Sequence, residues 1–221
     1  MNATDPESIT EHPFALRPRS ADDWCDLALV TQANLVTLRV RQCRRNRAET
    51  APHPIQTPAP GAVKRMREHL LDRRGFAEMS DRDLALRLRQ VWGQFSAFCW
   101  LMKGDDPNHP PSFAKIDADQ ARCPMELADR VENVRRTLWR VRFEQQLRFV
   151  GDFRLRPDFH DLKLAAGEIA VDVYGRPVHM APPDAVVLYG CETAGVFATL
   201  RWAMDDRWDW EQPGISDVGL E

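Results

Sequence analysis

Apolar residues recur along this chain at three- and four-residue steps in several separate stretches, the mark of helices that each bury one stripe. Trp24, Leu27, Thr31, Leu35 and Leu38 predict a helix over 21–45, and Ser20 followed by Asp23 gives it a capping-box-like start. Ser80 and Asp83 repeat that start ahead of Leu84, Leu88, Val91, Phe95, Phe98 and Met102, a bundle-like seam. Pro124 suits the first turn of a further helix over 124–148, where Leu127, Val131, Val134, Leu138 and Val141 keep the same rhythm. Matched seams joined by a proline-containing loop predict that these two helices pack antiparallel. Pro182-Pro183-Asp184 opens another helix to about Met204. A shorter one spans 62–74, with Gly75 placed to end it.

Two stretches break the helical rhythm. Residues 51–60 carry Pro52, Pro54, Pro58 and Pro60, which exclude helix interior and central strand. Ile169, Val171 and Val173 alternate with small or polar residues, and Val178 and Met180 follow Gly175-Arg176-Pro177, a pattern that predicts a hairpin. The expected fold is therefore mainly α, a helical bundle with a small β-hairpin appendage, with α+β as the alternative. Its organisation is an N-terminal helical segment (1–50), a Pro-rich linker or loop (51–60) and a main helical domain (61–221). That domain carries the hairpin near 168–180 and an acidic, Trp-containing tail.

Composition narrows the setting. With 221 residues, 43% hydrophobic and 29% charged, the chain is long enough for a sizeable core and ordinary for a globular protein. Its longest apolar run, Phe95–Met102, is far too short to cross a bilayer, and residues 1–11 lack a basic start followed by an apolar stretch. Five cysteines (Cys25, Cys43, Cys99, Cys123 and Cys191) stand 18 or more residues apart, without a CxxC pair. An odd, scattered set points to reduced thiols rather than a disulfide framework. A cytoplasmic protein with no membrane partner is expected.

Charge is uneven. Residues 39–89 hold 13 basic against 6 acidic residues, whereas 167–221 hold 3 against 10. Either the basic half meets a polyanion, or the two halves face each other in the monomer. Arg39, Arg41, Arg44, Arg45 and Arg47 place five guanidiniums within nine residues, although cations at a helix C-terminus are favoured by the dipole alone. Between Arg130 and Arg156, Arg135, Arg136 and Arg140 stand among Trp139, Phe143, Phe149 and Phe153. Basic side chains bind phosphates and interleaved aromatics stack on bases, but the same aromatics lie beside the seam and fit a core.

Other constellations are weaker. The 62–74 and 81–90 helices resemble a helix-turn-helix only in cadence: the link is long, and the would-be reading segment 95–101 is apolar. Pro157-Asp158, Asp161 and Lys163 spell a compressed PD…DxK pattern, with His160 beside it and His179 and Glu192 distant. Such carboxylates hold Mg²⁺ when the second stands with the lysine on a strand well separated from the first, whereas here the halves are three residues apart on a predicted turn. Cys191 lies between Gly190 and Gly195 inside a predicted helix, where small residues serve close packing; a thiol nucleophile with His179 as base is the rival reading. Trp202, Trp208 and Trp210 among acidic residues suit either a protein interface or folding back onto the chain's own arginines, the latter being favoured.

The expectation is a non-enzymatic accessory or regulatory protein acting by binding, with no cofactor and no metal. Its partner is nucleic acid or a nucleoprotein complex, met through Arg39, Arg41, Arg44, Arg45, Arg47, Arg135, Arg136 and Arg140. The alternatives are a protein-interaction subunit or inhibitor using Trp208 and Trp210, and a metal-dependent hydrolase around 158–163.

Overall fold

The computed structural model describes residues 19–46, 79–104, 106–108, 110, 121–205 and 207. Five α-helices account for most of them: α1 (Ala21–Asn46), α2 (Asp81–Leu101), α3 (Pro124–Phe149), α4 (Phe159–Gly167) and α5 (Pro183–Met204). A 3₁₀ turn, Phe153–Leu155, joins α3 to α4. The linker at 51–60, the helix expected at 62–74 and most of the acidic tail lie outside the described residues.

Capping chemistry sets the starts of α1 and α2. Ser20 Oγ accepts from the Asp23 amide at 3.2 Å, while Asp23 Oδ2 accepts from the Ser20 amide at 3.1 Å, satisfying two orphan donors reciprocally. Ser80 caps α2 by accepting from the Asp83 amide at 3.1 Å. At α3, Pro124 occupies the first turn and Glu126 Oε2 accepts from the Cys123 amide at 3.0 Å.

The four long helices, α1, α2, α3 and α5, alternate in direction along the chain. Arg122 N donates to Leu101 O at 2.9 Å, so α3 starts where α2 ends and runs back. Gln145 Nε2 donates to Val186 O at 3.2 Å, tying the end of α3 to the start of α5. Arg19 N donates to Ala203 O at 3.1 Å, which sets the start of α1 at the far end of α5. The helices thus run up and down in turn, and α5 lies parallel to α2. The seams of α2 and α3 were expected to meet each other. They run in opposite directions, but α5 packs against both and carries most of the contact between them.

α5 takes that place because it is small or apolar on nearly every side. A Cβ on Gly195 would lie 2.1 Å from Gln90 O, and one on Gly93 would lie 1.9 Å from Glu192 O, so the two backbones touch at this crossing. On its other flank Gly190 admits Gln145 and Val141 of α3. Trp24, Leu27, Leu35 and Leu38 of α1 join Phe95 and Phe98 of α2, Leu127 and Leu138 of α3, and Leu200 of α5 in one buried cluster. The N-terminal helix therefore shares the main core. The segment 95–101, weighed above as a reading helix, is interior: Phe95, Phe98, Cys99 and Leu101 are all buried.

Two smaller cores flank the main one. Phe143, Phe153 and Phe159 meet at 5.5–6.3 Å under α4, with Trp139 stacked on Phe143. Val171, Val173 and Val178 bury against Val141 and Val186. This second group belongs to the segment expected as a hairpin. The inward alternation holds for those valines, yet the segment carries a single antiparallel bridge, Asp172–Pro177, and no named strand among the described residues. Pro177 has no N–H to continue a ladder, and the amides of Met180 and Ala181 turn back to Pro177 O. The element is a strap, closed by Tyr174 and Gly175 at φ of 52° and 84°. Arg148 clamps it, donating to Ala181 O at 2.7 Å and Val178 O at 2.9 Å. No helix among the described residues is long and apolar enough to cross a membrane.

Candidate functional site

The arginines singled out above go to different environments. Arg39 lies over the Trp92 ring at 4.9 Å, and Arg41 is half-buried on the same helix. The backbone of α1 continues through Arg44 and Arg45 to Asn46, whereas Arg47 lies outside the described residues. On α3, Arg135 is fully engaged with Glu132, at 2.7 and 2.8 Å. That pairing holds the Glu132 carboxyl below and the Arg135 guanidinium above their ordinary ranges. Arg136 is exposed beside them.

Arg140 is a correction. Its side chain is interior, bound to Glu144 Oε2 at 3.0 Å, while Arg148 holds Glu144 Oε1 at 2.8 Å. One carboxylate thus serves two guanidiniums at the clamp that holds the strap, and Arg140 is not part of any phosphate-facing surface. The interleaved aromatics separate likewise: Phe143 and Phe153 are core and Trp139 is half-buried, while Phe149 is exposed.

In the compressed PD…DxK stretch, Pro157 and Asp158 lie in the expected turn, but Asp161 and Lys163 do not. Residues from Phe159 onward form α4, a helix too short for its pattern to stand out in sequence. Asp158 is held by Arg156 at 3.0 and 3.1 Å, and that hydrogen bonding lowers its pKa. Among the described residues no three His, Cys, Asp or Glu side chains converge as metal ligands do. Cys191 sits in α5, where burial pushes its thiol up, the opposite of what a nucleophile needs, and His179 is exposed on the strap. Trp208 and Trp210 lie outside the described residues.

One charged cluster was not anticipated. Tyr174 of the strap donates its hydroxyl to Glu192 Oε2 at 3.0 Å, and Arg89 Nη1 of α2 stands 3.6 Å from the same oxygen. The Arg89 guanidinium lies over the Tyr174 ring at 5.4 Å, and Tyr189 meets that ring edge-on at 5.7 Å. Burial raises the Glu192 carboxyl above the usual carboxylate range, and it raises both tyrosines as well. A signal for it existed in the sequence: Glu192 is the only charged residue in the middle of a helix otherwise built of small and apolar residues.

Comparison with protein-family models, with characterised proteins and with solved structures finds no match for this chain.

Proposed function

We propose that this protein acts by binding, and that the C-terminal end of α1 is its contact for phosphate groups of a nucleic acid or nucleoprotein partner. The reading rests on one observation above all. α1 runs unbroken to Asn46, so Arg41, Arg44 and Arg45 fall at steps of three and four on a single helix end, and no acidic residue intervenes between Arg39 and Arg47. Trp92 under Arg39 anchors the approach to that end. Positive charge concentrated on a rigid element releases counterions when it meets a phosphate backbone. Of the three α3 arginines named above, Arg135 is paired with Glu132 and Arg140 with Glu144, which leaves Arg136 as the exposed one without such a partner.

Retention on heparin or DNA tests this. Full-length protein is retained at about 50 mM salt, where binding of this kind is strong. Changing Arg44, Arg45 and Arg47 together to Ala lowers both the affinity and its dependence on salt. Absence of retention by the unmutated protein overturns the reading.

A second reading, a protein-interaction subunit, is favoured by exposed apolar side chains at the α3–α4 corner: Phe149, Leu155 (81% exposed) and Leu164. Binding through such a surface is insensitive to salt, and this separates the two.

A further inference from the structure

The strap, α2 and α5 meet at a surface niche where Glu192 accepts from the Tyr174 hydroxyl and the Tyr189 ring stands edge-on to that of Tyr174. We propose that this niche is a binding site for an organic cation, an alkylammonium or guanidinium group, and that Arg89 is the resident occupant that a ligand displaces.

Three observations carry the assignment. First, the Glu192 carboxylate is incompletely neutralised. Its polar partners among the described residues, the Tyr174 hydroxyl and Arg89, both face Oε2, and Arg89 at 3.6 Å is beyond good hydrogen-bonding distance. A carboxylate this enclosed, with its side chain 22% exposed, gains from a closer cation. Its raised pKa agrees with that deficit. Second, the Tyr174 ring already receives a guanidinium, and Tyr189 stands perpendicular to it, so a cation here meets aromatic faces as well as a carboxylate. Third, Tyr174 is held at φ 52°, a left-handed conformation that costs a non-glycine residue on the order of 1–2 kcal/mol. Backbone strain of this kind gathers at ligand-binding positions.

Other charges nearby do not close the site. Asp172 and Arg130 act on Tyr189 with opposite sign. Arg89 is 42% exposed at its side chain and swings out at little cost, which leaves Glu192 to the incoming group. The ligand carries one positive charge on an apolar stem. It is a free amine or guanidine, or the side chain of a Lys or Arg on a partner protein.

Titration with butylguanidinium chloride, followed by the NMR shifts of the Tyr174 and Tyr189 rings, tests the proposal. A short arginine-containing peptide serves as a second arm. Saturable shifts with butylguanidinium identify a small-molecule site, and shifts with the peptide alone identify a protein partner; either outcome supports the proposal. Arg89→Ala tightens binding several-fold, because the occupant is gone. Glu192→Gln, which keeps an acceptor for the Tyr174 hydroxyl, weakens it about tenfold or more, the loss of one charge-assisted hydrogen bond. Tyr174→Leu, on the exposed side of the strap, weakens it several-fold with the helical circular dichroism unchanged. The proposal is overturned if neither probe moves the tyrosine resonances, if Glu192→Gln binds as well as the unmutated protein, or if Arg89→Ala weakens binding.

Discussion

The crossing of α2 and α5 gives the sharpest test of the fold, through Gly195→Ala. The added Cβ would lie 2.1 Å from Gln90 O and 3.1 Å from Gln94 N, both backbone atoms that cannot rotate away. The helices must therefore separate or slide, and the buried cluster around Phe95, Phe98 and Leu200 loses contact with them. Overpacking of this kind costs about 1–3 kcal/mol, and a clash with backbone belongs at or above the upper end. Ala is the better helix former by about 1 kcal/mol, which offsets part of that. A net loss of about 2 kcal/mol remains, or about 4–8 °C in Tm for a chain of this size. Gly93→Ala meets Glu192 O at 1.9 Å across the same crossing. Once the helices have parted for one methyl group the second costs less, so the double variant falls short of the sum. Gly167→Ala is the control: nothing lies within 4 Å of its added Cβ, and stability holds or rises slightly. Urea unfolding followed by circular dichroism measures the four variants against the parent. A Gly195→Ala protein as stable as the parent refutes the crossing.

Further outcomes follow from the same coordinates. Glu144→Gln leaves Arg140 and Arg148 in the interior without their shared counter-charge and lowers stability by about 3–5 kcal/mol, read in a thermal melt; a change under about 0.5 kcal/mol contradicts the clamp. Burial pushes the Cys25 thiol up to about 11 and Cys99 to about 12, so at pH 8 a thiol reagent labels exposed Cys123 well before either, as mass spectrometry of the labelled peptides shows. Glu192 is raised in the folded state, so the folded protein holds that proton more tightly than the unfolded chain. The stability linked to it is fully present below the unfolded carboxylate range and is lost as pH rises through the raised value. Glu192→Gln therefore stabilises the protein at neutral pH and flattens this part of the stability–pH curve; an unaltered curve contradicts the burial.

The helices were legible because their signals are local. A serine three residues before an aspartate, a proline in the first turn and an apolar residue at every third or fourth step fix α1, α2, α3 and α5 to within a few residues. Which helix touches which is not a local property. The seams of α2 and α3 match in rhythm, but α5 fits between them because Gly195 removes a side chain where backbones meet and Gly190 leaves room for the Gln145 and Val141 side chains. That partnership is written in small residues, which carry no periodic signal. The strap misled for a related reason: three valines alternate inward as strand residues do, and one proline ends the ladder after a single bridge. The niche at Glu192 joins residues 89, 174, 189 and 192 from three elements, and a sequence pattern sees only the isolated charge on α5.

The separation of charge along the chain left two readings, and the direction of the helices weighs on them. Arg19 N bonds to Ala203 O, so the beginning of α1 lies against the end of α5. Arg44 is 23 residues beyond Ala21 on α1, roughly 35 Å away at 1.5 Å per residue. Trp208 and Trp210 follow Asp205 by three and five residues, an extended reach of about 11 and 18 Å. Neither span closes that distance. The backbone reach of these tryptophans stops short of Arg44, whereas Arg19, Arg201 and Arg207 at the near end of α1 lie within it. Trp208 and Trp210 thus leave the phosphate contact proposed for α1 open to a partner. Changing Trp208 and Trp210 together to Ala consequently leaves heparin retention unchanged, with Arg44, Arg45 and Arg47 still setting its salt dependence. Stronger retention of that double variant, abolished by changing those three arginines to Ala, is the result that would restore direct pairing of the tryptophans with the far end of α1 and overturn the geometric argument.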